Sequence, residues 1–522
     1  MTAAPARTSE SRQQIRGSFL LLVGRFAALF VNLLTQVLAV RYLIQADYGA
    51  FAFALSAVEL VGYVSMLGLN KACSRFLPIF HEREDHAGAL GTLIISVTTV
   101  LGISLLVAIG LVAGQEILAE HLVSSKLSLT LLLTLIALAP IEALDFIFEA
   151  FFSAFGKVRV VFFRQYVLRP GLKLAAVVSV LLLGASVQTL AYCYLAAGAI
   201  GFLYYVPSLL RVLRQQELVG HSRARQVRLP LKELWCFSGP LLTSHLVFLC
   251  QGSVAILFLE ALSGNIAVGE FRAVLPFARL NIIALTCFSL LFTPLACRLL
   301  SRHQEAQIDG LYWDSVAWIA VMTFPIFALT TVFSDTLTVL VLGEEYASAS
   351  GVMTLLAAGF FVEAALGLSA HTLRVYARIR YLVLSDLTAS LTGVVLLFVL
   401  IPRYGTMGAA LATASFMVVG HVLYACFAHF TTDVGTLAPR GLKIYASTIL
   451  AAAALVALDQ LLRPHWTSAL PLIAVVWLGL AVANRRDLAV QRVCPEIARI
   501  PLLWRLFPLE RSISLNDTTE AA

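Results

Sequence analysis

Apolar runs long enough to cross a hydrocarbon core, about 20 residues each, succeed one another from near Phe19 to near Ala483. That pattern leaves few folds open. In lipid every backbone N–H and C=O must be satisfied within the protein, and helices do this inside each span, so the chain is expected to be almost wholly transmembrane α-helix. Composition agrees: 60% of residues are hydrophobic, 13% are charged, and the mean hydropathy is +0.88. No gap between runs could hold a soluble domain. The widest outer gap, around 113–128, is too short to fold alone, which argues against catalysis by an external loop domain.

Run lengths predict about fourteen spans, near 18–40, 48–69, 87–113, 127–154, 160–183, 188–210, 236–260, 270–297, 311–333, 348–372, 381–401, 407–429, 441–462 and 468–484. The first is too long for a cleavable leader, has no small-residue cleavage pattern after it and carries Arg25, so it is expected to remain as a helix. Lys and Arg collect in the even gaps, as with Lys71, Arg75 and Arg83, Lys157 and Arg159, and Arg374, Arg378 and Arg380. The positive-inside rule then places both termini in the cytoplasm. The net charge of +7 is a topology signal and implies no nucleic-acid partner. The eight cysteines are scattered, without C-x-x-C or clustered His, so neither disulfides nor a zinc site is expected. Without a G-x-x-x-x-G-K-[ST] loop, no ATP-binding machinery and no cofactor are expected.

The chain also overlays on itself. Asp47-Tyr48-Gly49-Ala50-Phe51 falls on Ala267-Val268-Gly269-Glu270-Phe271, an offset of 220, and Gly156-Lys157-Val158-Arg159 falls on Ala377-Arg378-Ile379-Arg380 at 221. Because six spans precede the second copy, the two copies enter the membrane in the same sense, as parallel repeats about an axis along the membrane normal. The expected organisation is a six-helix lobe at 1–215, a basic cytoplasmic connector at 216–233, a second six-helix lobe at 234–432, two added helices at 433–486 and a cytoplasmic tail at 487–522. Within the tail, 497–507 reads either as an interfacial amphipathic stretch or as unstructured.

Several ordered motifs carry a family resemblance. They are Ala46-Asp47-Tyr48-Gly49-Ala50-Phe51 after span 1, Leu67-Gly68-Leu69-Asn70-Lys71-Ala72 with Arg75-Phe76-Leu77-Pro78, Gly156-Lys157-Val158-Arg159, Gly269-Glu270-Phe271, and Tyr404-Gly405-Thr406-Met407-Gly408-Ala409-Ala410. Over roughly its first 430 residues the chain resembles the polysaccharide-biosynthesis membrane proteins of the multidrug/oligosaccharidyl-lipid/polysaccharide exporter superfamily. The resemblance implies a V-shaped pair of lobes with spans 1, 2, 7 and 8 lining a cleft. It also implies alternating access that moves undecaprenyl-diphosphate-linked oligosaccharide across the bacterial inner membrane. The implied partners are that glycan lipid, the bilayer, and a polysaccharide polymerase with its chain-length machinery. Lipid II flippases and cation-coupled drug antiporters share the scaffold and stand as alternatives. A polyprenyl-dependent polymerase or glycosyltransferase is the rival of another class. Lipopolysaccharide, capsule and exopolysaccharide are not separated by these residues.

Ionisable residues inside spans are costly and usually partnered or functional. The cleft spans carry Arg25, Glu59, His245, Arg272 and Arg279. The 220 offset relates Arg25 to His245 and Glu59 to Arg279. If those helices line the cleft, Arg25, His245, Arg272 and Arg279 are candidates for the diphosphate, which arginine grips through a planar two-toothed contact. Glu59 and Arg279 are expected to form a gating ion pair across the lobes. The plain readings are that Arg25 snorkels to the surface and that His245 is a neutral packing residue.

A second set sits on the span 4/span 5 hairpin. Glu142, Asp145 and Glu149 share one helix face, and Arg164, Arg169 and Lys173 lie on span 5. Equal depth in an antiparallel hairpin sets Glu142 opposite Lys173, Asp145 opposite Arg169 and Glu149 opposite Arg164. The ladder reads first as structural, because buried charges must pair. The functional alternatives are a proton or cation relay through the carboxylates and a basic face of span 5 reached by anionic sugars. In the second lobe Glu363 stands where Glu142 does in the first, and His371 faces Asp386. Pro140, Pro240, Pro276, Pro294 and Pro325 are expected to kink spans, with hinging as the other reading.

Overall fold

The computed structural model describes residues 4–216, 228–239, 252–432, 434–436, 438–462 and 466–488, and every regular element among them is helical. The first repeat comprises α1 (Ala4–Tyr42), α2 (Gln45–Met66), α3 (Leu69–Glu82), α4 (His86–Ala113), α5 (Gln115–His121), α6 (Lys126–Leu135), α7 (Ala139–Ala154), α8 (Val158–Phe162), α9 (Arg169–Leu183) and α10 (Val187–Gln215). After α11 (231–239) come α12 (Ser253–Ser263), α13 (Asn265–Arg279), α14 (Ile283–Ser301), α15 (Glu305–Thr331), α16 (Ser334–Leu342), α17 (Ser350–Leu366), α18 (Leu368–Val375), α19 (Ile379–Thr431), α20 (Pro439–Leu462), α21 (Trp466–Ala483) and α22 (Arg485–Leu488).

Among the described residues 11 helical stretches are long and apolar enough to cross a membrane. Helix α19 holds both spans expected at 381–401 and 407–429. Gly405, at φ +54° and ψ −129°, reverses the chain between them, and only glycine reaches that region without strain. Residues 240–251 of the span expected at 236–260 lie outside the described residues, Pro240 and His245 among them, as does the tail at 497–507. Pro140 opens α7 just after a 3-10 turn at Ile136–Leu138, since its missing N–H suits a first turn. Helices α13, α14 and α15 continue through Pro276, Pro294 and Pro325.

Helix α3 lies in what reads as a loop. It is amphipathic, burying Leu69, Ala72, Cys73, Leu77 and Phe80 at helical spacing. Arg75 and Lys71 stay exposed, which is why a positively charged gap also folds.

The internal repeat is visible in the turns. At the α7/α8 turn Gly156 has φ +67°, and the Lys157 N–H donates to Phe152 O at 2.8 Å. At the α18/α19 turn Ala377 has φ +54°, and the Arg378 N–H donates to Leu373 O at 2.8 Å. Both are left-handed caps with the same six-to-one bond. The second copy makes the turn with a residue that does not favour it.

Two compact units result. The first contains Met1–Pro276, Thr338–Val352 and Ala389–Phe416; the second contains Phe277–Leu337, Met353–Thr388 and Met417–Ala522. The first unit therefore gathers the first repeat together with the segments around the odd gaps of the second. Its core is aromatic: Phe148, Phe151, Phe152 and Tyr205 pack together. In the second unit α20 and α21 dock on α15. The Trp477 indole donates to Val321 O at 2.8 Å, the Trp318 indole donates to Leu488 O at 3.0 Å, and Arg440 meets Asp314 at 2.7 Å.

Candidate functional site

Within the first unit the starts of α2 and α13 cross at two glycines. A Cβ on Gly49 would stand 1.7 Å from Asn265 O, and one on Gly269 would stand 2.6 Å from Gln45 O. Gln45 and Asn265, like Gly49 and Gly269, are 220 apart in sequence. Each helix thus meets the other at the equivalent place, as a two-fold axis requires. Close backbone approach through glycine is a common way for membrane helices to associate without a hydrophobic drive.

Polar groups surround this crossing. Gln36 of α1 donates to the Tyr48 hydroxyl and, at 3.1 Å, to Arg272 O. The Arg272 guanidinium bonds the Glu59 carboxylate at 3.2 Å. Glu59 is thus paired across the repeats with a cation on the helix that also carries Arg279, the residue the offset selects. Arg272 stands seven positions, about two turns, earlier on α13. Arg279 belongs to the second unit, where its guanidinium carbon lies 5.7 Å from the Phe360 ring centre. The offset relates backbone positions, whereas a long guanidinium spans more than a helical turn, so equivalence of position does not fix which cation meets which carboxylate.

Two further clasps join the repeats in this unit, and a third lies within the second repeat. Arg41 donates to Val341 O at 2.8 Å and to Leu340 O, placing a cation where free carbonyls end α16. Ser124 Oγ donates to the buried Glu260 at 2.7 Å. On α13, Glu270 accepts from Ser348 at 2.6 Å and from Thr406 at 2.8 Å. Sequence reading missed Gln36, Arg41, Tyr48, Glu260 and Glu270 as functional positions. Gln36, Arg41 and Glu260 carry no patterned signal, whereas Tyr48 and Glu270 sit inside the repeated motif.

The charges of the α7/α9 hairpin do come together, one rung out of register. Asp145 pairs with Arg164, and Glu142 pairs with Arg169 at 2.7 Å. Glu149 accepts from Gln165 at 3.3 Å. Lys173 meets no carboxylate at ion-pair distance among the described residues; its Nζ lies 5.7 Å from the Tyr194 ring centre. The expected rungs 142/173, 145/169 and 149/164 are therefore corrected. The cause is a π turn at Phe163–Leu168, closed by the Arg169 N–H on Arg164 O. Each turn there takes up an extra residue, which rotates α9 about its axis and defeats a rule of straight, equal-depth helices. Pro170 favours this turn, since it offers no N–H to the Tyr166 carbonyl. Gly201 completes the seat: a Cβ there would lie 2.9 Å from the Arg164 guanidinium carbon.

Asp145 and Arg164 are almost fully buried, at 2% and 3% side-chain exposure. Arg25, by contrast, is exposed on α1. In the second unit Glu363 has one buried oxygen without a hydrogen-bond partner among the described residues. The facing of His371 and Asp386 is also corrected. Asp386 accepts from the Tyr424 hydroxyl, and His371 contacts Thr293 at 3.3 Å, because each has a neutral hydroxyl within reach, beyond Gly405 on α19 for Asp386 and on α14 for His371. Among the described residues no His, Cys, Asp and Glu cluster suits a metal ion.

A multi-pass helical membrane protein with paired repeats and a buried ion-pair hairpin is the class these features define. The fold is shared with known transporters. One solved structure, described as "Lipid II flippase MurJ, inward closed conformation", superposes with a TM-score of 0.71 at 14% identity, covering 90% of this chain and 100% of that one. An inward-facing multidrug resistance MATE family transporter of the MOP superfamily superposes with a TM-score of 0.60 at 15% identity, covering 77% and 94%. A MATE structure in complex with MaL6 gives 0.56 at 15% identity, covering 80% and 95%. No curated protein sequence matches the chain. The model of the family described as "Polysaccharide biosynthesis protein" matches residues 15–287, just over half of the chain, and the chain belongs to that family.

Proposed function

We propose that this protein is a flippase for polyprenyl-diphosphate-linked oligosaccharide in the bacterial inner membrane, with both termini cytoplasmic. The observation that carries this reading is the Glu59–Arg272 pair, which ties the two repeats together inside the spans. An anionic headgroup competes with Glu59 for that guanidinium, so substrate arrival weakens the tie that keeps this crossing shut. Arg25, exposed on α1, supplies further positive charge for a diphosphate. A diphosphate carries about two negative charges, and an inside-negative potential drives it outward by about 2.3 kcal/mol per charge per 100 mV. Transport then needs no nucleotide hydrolysis.

Deleting the gene tests the reading. Glycan-bearing polyprenyl diphosphate is expected to accumulate on the cytoplasmic leaflet while surface polysaccharide falls; unchanged surface glycan and no accumulated intermediate would reject it. A second reading, lipid II flipping, is favoured by the full-length superposition on the lipid II flippase fold. Accumulation of lipid II in the same deletion would select it.

A further inference from the structure

The α7/α9/α10 hairpin encloses a cavity of about 30 Å³, lined by Glu142, Asp145, Arg164, Arg169, Lys173 and Tyr194 among others. That is room for about two waters, or for one halide-sized ion. The lining charges do not balance, since three cations face two carboxylates. Glu142 is taken by Arg169 and Asp145 by Arg164, which leaves the charge of Lys173 over. The neighbouring Glu59–Arg272 pair lies in the field of Lys173 but is neutral as a pair. Glu149, one turn further along α7, is not part of the lining and is held by Gln165.

A second observation points the same way. The Arg164 Nε–H is buried and has no acceptor among the described residues, although Arg164 lines the cavity. An unpaired cation and an orphaned charged donor on two residues that line one small space are costly in low dielectric unless an acceptor enters. Exposure rises from 3% at Arg164 to 25% at Arg169, so the cavity has an inner end and an entrance. Asp145 Oδ1 is also without a donor, and a single water beside the ion satisfies it.

We propose that this cavity is a binding site for one small monovalent anion, held between Arg164, Arg169 and Lys173. The anion completes the charge of this cavity independently of the transported substrate. The site does not rest on the flippase reading.

The test uses the purified full-length protein in nanodiscs. Thermal unfolding is followed as sodium chloride replaces sodium gluconate at constant ionic strength, gluconate being too large for the cavity. A saturable rise of about 2 °C or more is expected for the unaltered protein, and its absence in Lys173→Met. Equal melting in both salts would mean that the cavity holds only water and would overturn the proposal. So would a chloride response undiminished in Lys173→Met. Should that variant not fold, anomalous scattering from bromide-grown crystals decides: a peak between Arg164 and Lys173 supports the site, and an empty map there refutes it.

Discussion

At the scale of single residues, the Asp145–Arg164 pair is the clearest case of one group requiring another. Asp145→Ala leaves a guanidinium without its carboxylate in a buried site, and breaking such a pair costs about 3–5 kcal/mol. The double change Asp145→Leu with Arg164→Met removes both charges and is expected to recover most of that loss. Unfolding in detergent, compared across the single and double variants, measures this; a double variant as unstable as the single one would contradict it. Glu59 behaves differently because its side chain is 38% exposed and its pair is weaker. Glu59→Gln is therefore expected to leave abundance near normal while lowering export, read as surface glycan per unit of protein. Arg25→Ala should do the same, and parallel loss of protein and export would instead assign Arg25 a folding role.

At the scale of elements, the π turn and the glycine crossing are devices that residue types alone do not announce. Pro170→Ala supplies the N–H that the Tyr166 carbonyl lacks and draws Phe163–Leu168 toward a regular helix, turning Arg164 away from Asp145. Although alanine is the better helix former, the variant is expected to melt lower than the parent; a higher melting temperature would sink this account. At the crossing, Gly49→Ala forces the α2 and α13 backbones apart and should cost about 1–3 kcal/mol of packing. Gly62→Ala is the control, since its Cβ would meet nothing closer than 3.7 Å. Differential loss of stability between the two variants checks the claim. The helical spans among the described residues were largely legible before the structure, because hydrophobic run length and helix length are linked by a fixed rise per residue. The amphipathic α3 was not, because the exposed Lys71 and Arg75 between its buried positions lower its mean hydropathy, so that it reads as loop.

At the scale of the whole molecule, the two helices added after the repeats are not an appendage in packing terms. Helix α15 offers α20 and α21 a buried face with Trp313 and Val321, and Arg440 joins Asp314 and Asp487. Truncation after Thr432 uncovers that face and is expected to abolish accumulation in the membrane, measured by immunoblot of membrane fractions. The two-fold repeat, the helical class and the family were determined by the sequence, because they depend on what recurs along the chain: run length, motif order and a constant offset. The tertiary structure alone decided which cation met which carboxylate. Glu59 took Arg272, Asp145 took Arg164 and Lys173 was left over, because a π turn changes helix phase and long side chains reach past a turn. Neither effect leaves a periodic trace in the sequence.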